Sequence, residues 1–127
     1  MIRYIVIAVA VLVALTALGV LGVSYSTRSA EMIISHLEDC MRQVTCGDYA
    51  SASRAFESAE KEWEKVDILF SATVRHSELH EAALVFGRVR AALDNRFDES
   101  ALTGCAELIV LINDVVAQET PTISNIL

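Results

Sequence analysis

Residues 49–73 read YASASRAFESAEKEWEKVDILFSAT, and this stretch has the most regular apolar pattern in the chain. Its mostly apolar residues recur in alternating steps of three and four, which places them along one side of an α-helix. This seam consists of Tyr49, Ala52, Phe56, Ala59, Trp63, Val66, Phe70 and Thr73. The charged residues on the opposite side attract and repel one another about equally, so they do not explain the helix. The stretch therefore predicts a long helix that is stabilised by packing its seam in a bundle.

Three further helices are predicted on the two sides of this stretch, over residues 30–45, 77–93 and 98–119. Each has apolar residues at helical spacing. The three seams are Ile33, Leu37, Met41 and Val44; Leu79, Ala82, Phe86, Val89 and Leu93; and Leu102, Cys105, Ile109, Ile112 and Val116. Strand signals are absent. The sequence predicts an all-α protein with an antiparallel bundle of about four helices and one N-terminal transmembrane helix.

Short polar stretches predict where these helices begin and end. Gly47 suits the left-handed residue that ends the first helix, and Asp48 is a good N-cap for the second. Ser77 and Asp98 are the corresponding N-cap candidates for the third and fourth helices. A proline cannot continue the hydrogen-bond ladder, so Pro121 predicts the end of the last helix at residue 119 or 120.

The N-terminal segment predicts a membrane span. Residues 5–23 contain no charge, and Thr16 is their one polar side chain. Nineteen helical residues extend about 29 Å, close to the thickness of the hydrocarbon core. Tyr4 and Tyr25 flank the segment where interfacial aromatic rings prefer to lie. We expect the lipid bilayer to be a partner through residues 4–23; a cleaved signal peptide and a buried core helix are the alternatives.

These features predict the organisation of the chain and its place in the cell. Residues 1–25 form the anchor, residues 26–119 the helical domain and residues 120–127 a short C-terminal tail. A short N-terminal tail before a long acidic domain favours a cytoplasmic N-terminus. We therefore expect a single-pass protein of the cell membrane with an extracytoplasmic C-terminal domain.

The charge of the chain excludes one class of partner. Of ten basic residues, Arg3 alone precedes the predicted anchor. The rest of the chain holds nine basic against 17 acidic side chains, a formal charge of −8. No basic patch is available to neutralise phosphates, so nucleic-acid binding is not expected.

The sequence contains no catalytic or cofactor motif that would name a reaction. His76 and His80 are four residues apart, a spacing that can chelate Zn²⁺ on a helix, but the order HSELH is not the metalloprotease HExxH. If Ser77 caps its helix, His76 lies outside the helix and the chelate is lost. No phosphate-binding loop or nucleophile elbow is present. We expect no enzymatic activity, no cofactor and no metal site.

Three cysteines leave at least one thiol unpaired. Cys40 and Cys46 flank a predicted helix end and would close a small loop if the chain reverses tightly there. Cys105 lies on an apolar seam and is expected to be a buried small hydrophobe.

The layout resembles the domain of unknown function 4363 family, short membrane-anchored helical proteins mostly from Gram-positive spore formers. The resemblance is carried by the N-terminal span, EKEWE at residues 60–64, HSE at residues 76–78 and PTISNIL at residues 121–127. It implies a single-span, all-helical protein without an assigned activity, and it argues against an essential disulfide. It also makes Trp63, His76 and Asn125 the candidate functional positions.

These observations favour a non-enzymatic, membrane-tethered interaction module with a protein partner at the cell envelope. A small-ligand sensor is the alternative, because helical bundles can bind ligands between their helices. That reading expects a pocket near Trp63 and His76. A metal-dependent hydrolase is a third reading and needs both His76 and His80.

Overall fold

The computed structural model describes residues 1–70 and 76–126, and these residues form four α-helices. They are α1 (Ile2–Thr45), α2 (Tyr49–Phe70), α3 (His76–Asp94) and α4 (Asp98–Ile126). No strand occurs in this part of the chain. The prediction of an all-α protein is confirmed, with one difference in the helix count. The predicted span and the predicted helix 30–45 are a single helix, α1, since no helix-breaking residue separates them.

The bundle is built from the C-terminal half of α1 and from α2, α3 and α4. Helix α1 packs against α2 and α4, and α3 packs against the same two helices. Two short turns, residues 46–48 and 95–97, join α1 to α2 and α3 to α4, which makes both pairs antiparallel hairpins. Both turns therefore lie at the end of the bundle away from the apolar start of α1.

The core is built mainly from apolar side chains of the predicted seams. In α4 the predicted seam is shifted, because Leu102, Ile109 and Val116 are only partly buried while Leu108 is fully buried. Of the α2 seam, Ala52, Phe56, Ala59, Trp63 and Val66 are buried, as the spacing predicts. The largest fully buried side chains include Phe56, Ile33, Leu37, Leu108, Ile112 and Val85, together with Cys40 and Cys105. All four helices contribute to this core, so the bundle depends on each of them.

The apolar part of α1 lies outside this core. Residues Ile2–Leu21 are long and apolar enough to cross a membrane, and none of this segment is buried. Residues Asp98–Ala117 of α4 pass the same test of length and composition. That second segment instead turns Ala101, Cys105, Leu108 and Ile112 into the bundle core.

The turn between α1 and α2 has the structure that its sequence predicts. Gly47 has a φ of +81°, and the backbone N–H groups of Gly47 and Asp48 donate to the carbonyls of Val44 and Gln43. This pair of bonds is a Schellman motif. Asp48 caps α2, because its carboxylate accepts bonds of 3.1 and 2.8 Å from the backbone N–H and the hydroxyl of Ser51. These two bonds lower the pKa of Asp48.

The turn between α3 and α4 repeats this motif with a different residue at the left-handed position. Arg96 has a φ of +56°, and the N–H groups of Arg96 and Phe97 donate to the carbonyls of Leu93 and Ala92. A non-glycine residue is uncommon in this conformation. The Arg96 guanidinium carbon lies 5.4 Å from the centre of the Tyr49 ring, so a cation–π contact with α2 supports the turn.

Three predicted helix ends are wrong. Helix α3 begins at His76, so Ser77 lies in its first turn and is not the N-cap. Helix α4 begins at Asp98, so the cap position falls on Phe97, whose carbonyl accepts the first helical bond from Ala101. Helix α4 also continues through Pro121 to Ile126. A proline removes one backbone donor, but it need not end the helix, which can bend and continue. The division into residues 1–25, 26–119 and 120–127 remains a prediction.

Candidate functional site

Three aromatic rings form a continuous row between α2 and α3. The centre of the Phe86 ring is 5.7 Å from that of Phe56 and 5.7 Å from that of Trp63. These are separations at which tilted aromatic pairs attract each other. All three side chains are buried, with 5% of Phe86 and 6% of Trp63 exposed. Contacts among these three rings therefore hold α2 and α3 together, and only small parts of Phe86 and Trp63 are accessible at the surface.

Arg90 closes one end of this row. Its guanidinium carbon lies 5.1 Å from the centre of the Phe56 ring, and its nitrogens pair with Glu60 and, at 3.7 Å, with Glu57. About one third of the Arg90 side chain is exposed, so these ion pairs are partly shielded from water. One cation on α3 thus offsets the charge of two carboxylates on α2.

Beyond Arg90 the surface between α2 and α3 forms a groove with an aromatic floor and an acidic rim. We call this the α2–α3 groove; it is lined by Glu60, Trp63, Glu64, Asp67, Ala83 and Phe86 and has a volume of about 240 Å³. In the part of the chain that the structure describes, neither Glu64 nor Asp67 forms an ion pair. The groove therefore offers apolar surface beside negative charge that Arg90 does not neutralise.

The structure describes the side chain of only one of the three candidate positions. Trp63 lies on the floor of the α2–α3 groove. His76 is the first residue of α3 and Asn125 lies near the end of α4, but the side chains of both fall outside the described residues. The functional roles of Trp63, His76 and Asn125 stay predictions.

The sequence did not single out Phe86, Arg90 or the Glu60 carboxylate as neighbours of Trp63. One signal was available: Arg90 follows Phe86 by four residues, so a helix puts a cation beside the apolar seam of α3. Periodicity shows that this face is buried, but it does not show which helix covers it.

The described residues assemble no metal site. No group of three or more His, Cys, Asp or Glu side chains in this part of the structure is arranged to hold a metal ion. His76 lies within α3, so the spacing of four to His80 is retained on one helix, and the His80 side chain is exposed.

The structure brings together two cysteines that the sequence did not pair. Cys40 and Cys105 are fully buried, and the thiol of Cys105 donates to the Cys40 sulfur with the two sulfurs 4.0 Å apart. This bond and burial raise the pKa of Cys105. Cys46 is exposed at the C-cap of α1, about 9 Å along the helix from Cys40, so the tight chain reversal that a bridge between them would need does not occur here.

Fold and sequence together place the chain in a class. The described residues define an all-helical protein, a four-helix bundle whose first helix extends into an exposed apolar segment long enough to cross a membrane. The chain belongs to the family described as domain of unknown function (DUF4363), whose model matches residues 20–126. The resemblance noted from the sequence is thus confirmed over both hairpins of the bundle. Comparison with curated proteins and with solved structures gave no match.

Proposed function

We propose that the protein is a non-enzymatic, membrane-tethered interaction module whose α2–α3 groove binds a basic segment of a partner protein. The observation that carries this proposal is the combination of an aromatic floor, Trp63 and Phe86, with the carboxylates of Glu64 and Asp67 on its rim. Aromatic residues at the centre of a contact and charge at its edge are typical of protein interfaces.

The apolar segment of α1 supports the tethered part of the proposal. Nothing in the described bundle covers Ile2–Leu21, and a free apolar surface of this length is costly in water. Insertion into a bilayer removes that cost. The bundle then lies at the membrane surface. We propose the extracytoplasmic side because a short N-terminal tail with Arg3 before the span favours a cytoplasmic N-terminus.

Charge favours a basic partner. Acidic residues outnumber basic residues nearly two to one beyond the anchor, so the field of the domain attracts cations from a distance. At the groove itself, a Lys or Arg side chain can pair with Glu64 or Asp67 while its aliphatic stem covers Trp63. An acidic partner would be repelled both by the net charge of the domain at long range and by Glu64 and Asp67 at the groove.

The size of the groove favours this reading over the small-ligand sensor. Sites for drug-sized ligands are typically about 300–1,000 Å³ and enclose most of the ligand. The α2–α3 groove is about 240 Å³ and lies open at the surface. Such a groove accommodates one or two side chains of a larger partner better than a whole small molecule. The metal-dependent hydrolase has no such support in the described residues.

A peptide experiment tests the groove. Trp63 is the single tryptophan of the chain, so its fluorescence reports directly on this site. The full-length protein is placed in nanodiscs of neutral phosphatidylcholine and titrated with a synthetic helical peptide that carries Lys and Leu on one face. We expect saturable binding that weakens with salt and falls at least about tenfold in Glu64→Gln plus Asp67→Asn, since two charge pairs are lost.

The matched control removes the same charge elsewhere. Glu31→Gln plus Glu38→Gln changes two exposed carboxylates of α1, which does not pack against α3. This variant should bind the peptide like the unmodified protein. Equal loss in both double variants would mean that net charge alone attracts the peptide, and no change in either would remove the groove from the proposal. Empty nanodiscs correct for binding to lipid.

Cys46 provides a test of the proposed orientation. It is exposed, whereas Cys40 and Cys105 are buried, so a maleimide added to the folded protein labels Cys46 first. We expect a membrane-impermeant maleimide to label Cys46 in intact cells, and Cys46→Ser to abolish the labelling. Labelling that appears only after the cells are broken open would place the domain on the cytoplasmic side.

A further inference from the structure

Two thiols meet in the interior of the bundle, at the interface of α1 and α4. The sulfurs of Cys40 and Cys105 are 4.0 Å apart, and both side chains are fully buried. A disulfide has its sulfurs about 2 Å apart, so the two would have to approach by about 2 Å. Their neighbours in the core along the chain, Leu37, Val44, Ala101 and Leu108, are apolar and offer neither sulfur a better polar partner.

We propose that Cys40 and Cys105 form an intrachain disulfide that joins α1 to α4 when the domain lies in an oxidising compartment. The oxidant is a disulfide, either of an extracytoplasmic oxidoreductase or of oxidised glutathione. One cysteine thiolate attacks it and displaces one of its sulfurs as a thiolate. The second cysteine then attacks the mixed disulfide and releases the other sulfur. Two protein thiols lose two protons and two electrons, and the oxidant becomes two thiols.

The burial of both sulfurs determines when this reaction takes place. Neither thiol has exposed surface, so an oxidant dissolved in water cannot reach either sulfur in the folded bundle. The oxidant therefore reacts while the bundle closes or during a transient opening. Once formed, the bond is shielded from reductants by the same apolar packing.

The position of the pair gives the bond a structural consequence. The two cysteines are 65 residues apart in the chain, and they lie on the first and the last helix of the bundle. No turn connects α1 to α4, whereas α1–α2 and α3–α4 are joined by short turns. A covalent bond here ties the second hairpin directly to the helix that carries the apolar segment. Because the bridged loop is long, the stabilisation is expected to be large.

Peptide mapping tests the proposal on the full-length chain. The Cys46→Ser protein in detergent micelles is incubated with oxidised glutathione during refolding, treated with N-ethylmaleimide and digested with trypsin. Cleavage at arginine gives residues 29–42, with Cys40, and residues 97–127, with Cys105. We expect these two peptides as one linked species that is lighter than their sum by two hydrogen atoms and that separates on reduction. The oxidised protein should melt about 10 °C higher than the reduced protein.

Two alanine variants and the unmodified protein are the controls. Cys40→Ala and Cys105→Ala should each lose the linked species and the difference in melting temperature, while circular dichroism confirms that they fold. In the unmodified protein the exposed Cys46 reports that the oxidant is active, through glutathione adducts or dimers on residues 43–54. Full alkylation of Cys40 and Cys105 under those conditions overturns the proposal. Linkage only between molecules overturns it too. Neither outcome bears on the α2–α3 groove.

Discussion

Replacing Phe56 by Ala is expected to lower the free energy of unfolding of the bundle by about 3–5 kcal/mol, as large-to-small changes of a buried phenylalanine do. The Phe56 side chain is fully buried at the centre of the bundle. Its ring contacts Phe86 at a centroid distance of 5.7 Å and lies under the Arg90 guanidinium. The variant leaves a cavity, loses an aromatic pair and removes the surface on which Arg90 rests. Denaturant unfolding followed by circular dichroism measures the loss.

Phe97 is the matched control for this change. It is also a phenylalanine, but 61% of it is exposed in the turn between α3 and α4. Phe97→Ala should change the free energy of unfolding by no more than about 0.5 kcal/mol. A similar loss in both variants would mean that removal of an aromatic ring, and not its burial, determines the effect.

A methyl group added at Gly104 is expected to destabilise the bundle, although alanine favours helices over glycine. Gly104 of α4 is buried, and a Cβ built there lies 2.4 Å from Cγ2 of Val89 on α3. Valine is stiff at χ1 in a helix, so it cannot simply turn away. Overpacking costs about 1–3 kcal/mol, against a gain of about 1 kcal/mol in helix propensity. The difference leaves a net loss, and we expect Gly104→Ala to lower the free energy of unfolding by up to about 2 kcal/mol.

Two further variants isolate the cause. Gly87 lies on the exposed side of α3 with nothing within 4 Å of its added Cβ, so Gly87→Ala should raise stability by about 0.5–1 kcal/mol. Val89→Ala removes the clashing methyl groups. The loss of unfolding free energy in the double variant Val89→Ala plus Gly104→Ala should therefore be smaller than the summed losses of the two single variants, by about 1 kcal/mol or more. Additive losses would show that α3 and α4 do not approach as closely here as the structure has them.

The sequence predicted the buried faces well, because a helix that must hide an apolar seam shows it at every third or fourth residue. Phe56 and Trp63 on α2 and Cys105 and Ile112 on α4 all lie in the core, as predicted. It could not predict which seam meets which. The approach of Cys40 to Cys105 and that of Trp63 to Phe86 depend on how four helices are arranged in space, and no spacing within one helix encodes that.

Helix ends were harder to predict for a local reason. A glycine such as Gly47 readily adopts a positive φ, so its residue type predicts the end of a helix. Arg96 has a positive φ at the equivalent position, but an arginine does not predict one. Its conformation is supported by Tyr49, a contact between two turns that are distant in sequence. Residue type limits the backbone conformations that are available at a helix end, and contacts with other helices determine which of them is adopted.

If the apolar segment is inserted in a bilayer, as proposed, the unbroken course of α1 from Ile2 to Thr45 would hold the bundle at a fixed distance from the lipid. With residues 4–23 in the bilayer, as proposed, the remaining 22 residues of α1 form a strut about 33 Å tall. Trp63 lies 14 residues along the returning α2, roughly 12 Å above the lipid. The same helix continues into the bundle core through Ile33 and Leu37. A tilt or rotation of the membrane-inserted part of α1 would therefore move the bundle with it.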